Sequence, residues 1–142
     1  MLPQPRQVIA LHDNDVTNGE TVTCNIDTLG YDFASIDISL SISSAVSVKL
    51  STLNLLECDT TDGSFATVSG FVSGTDWTIP NAVTSGFWGV KMNVDCTKRK
   101  RYLRLAITPT TTATVVALAN LFRGDEAPVS TTKANVKALV EG

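Results

Sequence analysis

Histidine is almost absent from this sequence, and its scarcity argues against most forms of acid–base and nucleophilic catalysis. His12 is the only histidine among 142 residues. A Ser-His-Asp site needs an imidazole beside its nucleophile. His12 instead follows the first predicted strand, next to Asp13, and the sequence contains no G-x-S-x-G motif. We therefore predict an exposed or loop histidine, no catalytic residues, and a protein that is not an enzyme.

The cysteines are few and are not spaced for a metal or redox site. Cys24, Cys58 and Cys96 form no C-x-x-C pair. An odd number of such residues is typical of reduced thiols that are buried as small hydrophobic side chains. The acidic segment Glu57–Gly63 lacks the ligand spacing of an EF-hand, and a hairpin turn accounts for its composition. The sequence predicts no metal and no cofactor.

Charge is also scarce, and no long apolar run is present. Charged residues make up 18% of the chain and the net charge is −3, whereas a protein held on nucleic acid by phosphate contacts is normally basic. No apolar run approaches the roughly 20 residues of a membrane-spanning helix. Met1–Arg6 lacks the regions of a signal peptide. We predict no direct nucleic-acid binding, no membrane partner and synthesis in a cytosol.

What the sequence does contain is a strict alternation of apolar and polar residues, clearest over Phe33–Ile42. One parity holds isoleucine and leucine, and the other holds serine and aspartate. A period of two is typical of a half-buried β-strand, because successive side chains of a strand point to opposite faces. The alternation recurs along the chain between turn signals such as Asn18-Gly19.

These repeats predict an all-β fold, a single-domain β-sandwich or jelly roll of about eight antiparallel strands. The predicted strands are Arg6–Leu11, Glu20–Asp27, Phe33–Ile42, Val48–Glu57, Phe65–Val72, Phe87–Cys96, Tyr102–Thr108 and Ala113–Phe122. In the fourth strand the apolar parity changes near Thr52, which predicts either a β-bulge there or burial on both faces. Residues 1–125 form the predicted domain, and 126–142 form a C-terminal arm with a weak helical pattern over Thr132–Val140.

The last strand of the domain is apolar on both faces. Such a strand is either central to a covered sheet or lies at a subunit contact. If the strand lies at a subunit contact, the interface it forms comprises Val115, Val116, Leu118 and Phe122.

The highest concentration of charge is the basic run Lys98, Arg99, Lys100 and Arg101. The run resembles a nuclear-localisation or nucleic-acid-binding patch, although such matches are common by chance. It lies between two predicted strands, so two other interpretations are a solvated hairpin turn and a surface that docks the protein on an acidic partner.

Two further patterns are open to a functional interpretation. Arg123-Gly124-Asp125 matches an integrin-binding tripeptide, although the glycine also suits the end of a strand. Trp77, Trp88 and Tyr102 are candidates for a sugar-stacking platform. Trp88 falls on an inward parity, which favours a place in the core.

Four segments resemble small structural proteins of tailed bacteriophages, namely the head decoration, auxiliary capsid or cement proteins. The segments are Ile26–Ile38, Leu55–Phe65, Arg101–Pro109 and Val115–Arg123 followed by Ala127-Pro128-Val129. The pattern departs from that family at Cys58 and in the basic run. The resemblance implies a β-sandwich subunit, often a trimer, on the outer surface of an icosahedral shell, with no catalytic residues.

From this resemblance we expect a virion protein that binds the major capsid protein as a homotrimer, with the basic run as the docking surface. An alternative is a tail, neck or fibre component of the same particle. A further alternative is a carbohydrate-binding jelly-roll module, which requires Trp77 or Tyr102 to be exposed.

Overall fold

The computed structural model describes residues 6–41, 47–82, 88–123 and 138–141, apart from the side chains of Ile9, Asn14 and Leu139. Its elements are β1 (Arg6–Val16), β2 (Val22–Asp27), β3 (Phe33–Ser41), β4 (Leu50–Cys58), β5 (Ala66–Val72), β6 (Trp88–Asp95), a 3₁₀ turn (Cys96–Lys98), β7 (Tyr102–Pro109), β8 (Ala113–Phe122) and β9 (Ala138–Glu141). The strands confirm the predicted all-β class.

Two sheets face each other across one core. The five-stranded sheet has the order β1-β8-β3-β6-β9, and the four-stranded sheet has the order β2-β7-β4-β5. The first strand pairs with the eighth, the second with the seventh, the third with the sixth and the fourth with the fifth, all antiparallel. This nested pairing winds one long hairpin into a sandwich, which is the jelly-roll arrangement that the sequence predicts.

The alternation in β3 places its apolar parity in the core. Ala34, Ile36, Ile38 and Leu40 are each at most 3% exposed, while Ser35, Asp37 and Ser39 on the other parity keep partial exposure. The largest buried side chains come from both sheets and include Trp88 and Phe71, each 0% exposed. Burial of such side chains is the main favourable contribution to folding, at roughly 1.5–3 kcal/mol for each large aliphatic or aromatic residue.

The predicted irregularity in β4 is confirmed, because its register with β7 shifts between Leu50 and Thr52. The first strand is longer than predicted. It continues through the polar residues Asp13–Asp15 to the buried Val16, with register shifts that include one between Asp13 and Val16. Asp15 takes a positive φ of 61°, a conformation that aspartate tolerates better than most residues. The bulges explain how this segment, which lies beyond the predicted end of the strand at Leu11, remains paired with β8.

The C-terminal segment contains a strand where the sequence suggested a helical pattern. Ala138–Glu141 pair in parallel with Val90–Asn93 of β6 and form the edge of the five-stranded sheet. Tertiary pairing overrides local propensity in such a short segment. The boundary between the domain and the arm near residue 125 lies outside the described residues and stays a prediction. Within the part of the chain that the structure describes, no helix is long and apolar enough to cross a bilayer.

Candidate functional site

The candidate site is an apolar stripe on the outer face of the five-stranded sheet. Strand β8 lies between β1 and β3, so its outward side chains occupy the middle of that face. Val116 and Leu118 are half-buried and Phe122 is 37% exposed. Phe33 of β3 lies directly opposite Phe122. We call Val116, Leu118, Phe122 and Phe33 the outer stripe.

The predicted interface needs a correction at Val115. This side chain is 0% exposed and belongs to the core, together with Ala117, Ala119 and Leu121 on the same parity of β8. A residue enclosed within its own subunit has no surface left to offer a second one. Of the four predicted interface residues, only Val116, Leu118 and Phe122 face outward.

Beside the outer stripe, the polar side chains of β3 and β6 are paired with each other. Lys91 Nζ lies 2.6 Å from Asp37 Oδ1 and donates to Ser35 Oγ at 2.9 Å. Only 12% of the Lys91 side chain is exposed, so its charge is largely screened from solvent by its neighbours. Next to it, Asn93 is 4% exposed and donates its amide to Glu141 Oε1 of β9 at 3.2 Å. The stripe is therefore bordered on this side by one neutralised ion pair, Lys91 with Asp37, and by a hydrogen-bonded Asn93–Glu141 pair.

The basic run lies in the turn between β6 and β7, where it meets carboxylates from three other parts of the chain. We call Lys98–Arg101 the basic turn. Lys98 Nζ lies 3.0 Å from Asp95 Oδ2, and Lys100 Nζ lies 3.6 Å from Asp59 Oδ2. The backbone N–H of Lys100 also donates to Glu57 Oε2 at 3.0 Å.

The strongest of these contacts joins Arg101 to Asp27. The guanidinium donates through Nε at 3.0 Å and Nη2 at 2.8 Å to the two carboxylate oxygens. These hydrogen bonds lower the pKa of Asp27, and the backbone N–H of Leu29 contributes further. Thr28 donates its hydroxyl to the Arg101 carbonyl at 2.7 Å. The basic turn is thus a structural junction whose charges are partly cancelled within the subunit.

The aromatic side chains proposed for sugar stacking do not form a common platform. Trp88 is 0% exposed, as its inward parity predicts. The Arg101 guanidinium lies over the Tyr102 ring at 4.8 Å, so a cation already occupies one face of that ring. Tyr102 lies opposite Cys58. Half-buried Trp77 forms a backbone bridge with Ser73, whose Oγ accepts a hydrogen bond from the backbone N–H of Leu53. Leu53 lies five residues from Cys58 along β4, so Trp77 and Tyr102 are at separate places on the sheet.

A cavity of about 490 Å³ lies near Trp77, at that end of the four-stranded sheet, but Trp77 does not line it. It is lined by Lys49, Leu50, Ser51, Ser73, Gly74, Thr78, Ile79 and Thr110. No aromatic ring is in its wall, so the stacking surface that a carbohydrate module uses is missing from this cavity.

The cysteines are buried and unpaired, as predicted. Burial raises the pKa of Cys24 to about 11 and that of Cys96 to about 12, because the thiolate loses its hydration. Asp95 and Asp32 add to the effect at Cys96 by repelling negative charge. Within the described residues no group of three or more His, Cys, Asp or Glu side chains is arranged to hold a metal ion.

His12 is exposed and lies opposite Val116 on the outer face. The tripeptide beginning at Arg123 falls mostly outside the described residues, since only its arginine is described. Arg123 Nε donates to the Gly30 carbonyl at 2.5 Å, and the guanidinium lies 5.5 Å from the centre of the Tyr31 ring. This arginine therefore fastens the end of β8 to the turn between β2 and β3.

Sequence reasoning missed the polar pairs of the outer face and the role of the C-terminus. Lys91 and Asp37 lie on outward parities of two predicted strands. The two residues can be recognised as partners only once β3 and β6 are known to be neighbours. The last strand carries a weak signal, the apolar run Ala138–Val140, which fits a helix and a strand equally well.

No protein-family model matches this chain, and no curated protein matches it. Among solved structures, the chain is similar to infectious bursal disease virus VP2 in its subviral particle, with a TM-score of 0.48 and 17% identity. The match covers 89% of this chain and 34% of that chain. It is also similar to a family GH115 4-O-methyl-α-glucuronidase, with a TM-score of 0.42 and 12% identity over 87% of this chain and 17% of that one. Likenesses this distant carry no argument about function.

Proposed function

We propose that this protein is a non-catalytic structural subunit of a virion, a decoration protein that binds the outside of an icosahedral phage head as a homotrimer. The single observation that carries the proposal is the outer stripe. It places half-buried Val116 and Leu118 on the outer sheet face, together with Phe122 at the end of β8, which keeps 37% of its surface exposed. The sequence resemblance to phage decoration proteins suggests the assembly that would bury this face, a trimer on a phage head.

The stripe suits contact between copies of the same chain. Phe122 and Phe33 form a directly opposed aromatic pair at one end of the stripe. Leu118 and Val116 lie further along the same face of the strand, separated from Phe122 by the outward polar residue Asn120. Complete burial of a large apolar side chain contributes roughly 1.5–3 kcal/mol. Closed rings of identical subunits are the usual way to bury such a surface. A trimer would multiply the gain over three equivalent contacts.

The role of a decoration protein follows from multivalency. A trimer presents three identical docking surfaces to a symmetric lattice, so weak individual contacts combine into stable binding. The basic turn is the proposed docking surface for the major capsid protein. The side chain of Lys98 is 76% exposed and that of Lys100 is 46% exposed. Exposed ion pairs contribute little stability, so acidic groups of a partner can replace Asp95 and Asp59.

The decisive experiment changes the outer stripe and leaves the core intact. We expect Leu118→Lys to weaken each contact by about 2 kcal/mol or more, roughly 30-fold, because it removes apolar burial and introduces a charge. Sedimentation velocity measures the loss of trimer. The matched control is Thr23→Lys, an exposed outward position in β2 of the other sheet, which we expect to leave assembly unchanged.

Binding to phage heads is tested with the same two variants. We expect the wild-type protein and Thr23→Lys to co-sediment with undecorated heads of the encoding phage and to raise their resistance to heat. Leu118→Lys should do neither at equal concentration. Wild-type protein that is monomeric and ignores such heads would contradict the proposal. Immunogold labelling of the tail alone would favour a tail, neck or fibre component.

A further inference from the structure

Strand β9 closes an open side of the sandwich. It pairs with the outer edge of β6 and also lies against β5 of the opposite sheet. Val140 is 5% exposed and belongs to the core, and Ala138 packs against the same core. Their partners on β6 are Met92 and Val90, both 0% exposed. The edge of β6 thus accepts a short strand with apolar residues at alternate positions.

The connection to this strand is longer than its position requires. Residues 123–137 separate β8 from β9, which is 15 residues. Phe122 pairs with Phe33, and Phe33 pairs with Asp95, so Phe122 and Asp95 lie at the same position along the strand direction. Ala138 lies at the position of its own partner, Val90. The start of β9 therefore lies three strand spacings sideways and five residues back along the strand. That separation is about 14 Å by about 17 Å, or roughly 22 Å in all.

Fifteen residues of extended chain span about 50 Å, more than twice that separation. A connection of this length is long enough for the β6 edge of an adjacent copy as well as its own, provided that the adjacent edge lies within about 50 Å of the end of β8. The strand forms the same contacts with β6 in either case, because its contacts lie within residues 138–141. Exchange of identical elements between copies is a low-cost route to association for this reason.

We propose that the edge of β6 is a strand-acceptor site and that, in the assembled oligomer, β9 of a neighbouring copy occupies it. The local concentration of neighbouring arms in an oligomer is comparable to the effective concentration of a chain's own arm, about millimolar for a short tether. Exchange adds contacts between copies without adding any new interface residues. The exchanged β9 strands then link neighbouring subunits at the β6 edge, a contact separate from the outer stripe.

The test uses an engineered disulfide between the last residue of β9 and its register partner on β6. Asn93 and Glu141 are register partners whose side chains meet at 3.2 Å, and adjacent strands place their Cα atoms within the range that a disulfide allows. The full chain carrying Asn93→Cys and Glu141→Cys is oxidised, and the oligomer is isolated by size exclusion. We expect disulfide-linked dimers and larger species on a non-reducing gel. A mixture of heavy- and light-isotope copies should give heavy–light linked peptides.

Each single variant, Asn93→Cys and Glu141→Cys, is the matched control and should give neither product. If the double variant fails to fold, Val90→Cys with Ala138→Cys reports on the other end of the strand. Linkage that is entirely within chains in the isolated oligomer would overturn the proposal. So would a folded protein that forms no linkage between these positions, or one that is monomeric at about 1 mM, the tether concentration.

The outcome is independent of binding to phage heads. Linkage between chains in a protein that ignores heads would reject the proposed function and retain strand exchange. Linkage within chains in a protein that binds heads would reject strand exchange and retain the proposed function.

Discussion

The turn between β4 and β5 provides a steric prediction that can be worked out atom by atom. A Cβ atom added at Gly63 would lie 2.5 Å from Cys58 Sγ and 2.6 Å from Thr60 Oγ1. Gly63 does not have a positive φ, so an alanine there is opposed by space and not by backbone conformation. Cys58 is 7% exposed, which leaves its sulfur little room to move. Thr60 is exposed, so its hydroxyl can rotate away.

We expect Gly63→Ala to destabilise the protein by about 1–3 kcal/mol, the usual cost of forcing an extra methyl group into a filled space. For a chain of this size each kcal/mol lowers Tm by roughly 2–4 °C. Thermal unfolding followed by circular dichroism should therefore show a decrease of about 2–12 °C. The neighbouring exposed residue provides the control, because Ser64→Ala should change stability by no more than about 0.5 kcal/mol.

A double-mutant cycle identifies the atom responsible. Cys58→Ala removes Sγ, so Gly63→Ala should cost at least about 1 kcal/mol less in that background than in the wild type. Additivity of the two substitutions within about 0.5 kcal/mol would refute the packing described for this turn. An unchanged Tm for Gly63→Ala alone would refute it as well.

Two further predictions follow from the pKa values. With pKa values of about 11 and about 12, the folded-state thiols of Cys24 and Cys96 are about 0.1% and about 0.01% ionised at pH 8, against roughly a quarter for an unperturbed thiol. Maleimide labelling followed by mass spectrometry should be at least 100-fold slower in native protein than in urea, and equal rates would contradict this burial. The lowered pKa of Asp27 contributes stability above its unfolded value near 3.9 that is lost as pH falls through the lower folded value. Arg101→Gln should raise the pKa of Asp27 in carboxyl-detected NMR titration and flatten this acid limb, whereas Lys98→Gln should leave Asp27 unchanged.

Local sequence patterns predicted the strands well because those signals are short-range. The alternation in Phe33–Ile42 and the boundaries of Ala113–Phe122 match β3 and β8 closely. The parity change near Thr52 located a real bulge. In each case the side chains themselves record which face of the strand is buried.

The candidate site was harder to predict, since it depends on neighbours that are distant in sequence. The pattern in β8 left two faces equally apolar, and only the packing of the second sheet decided that Val115 faces the core. The sequence did not show which carboxylates meet the basic turn, because Asp27 at the end of β2 and Asp59 in the turn after β4 are about 40 to 75 residues away along the chain.

The amino-acid order alone determined that the chain forms strands, where most of them begin and end, and which parity of each is apolar. Tertiary structure decided which strands became neighbours, which face of β8 points outward and how the charges of the basic turn are balanced. It also decided that the last residues form a strand on β6. The physical reason is that a period of two specifies a buried face for each strand but not a partner. Partners are chosen by the packing of the whole core.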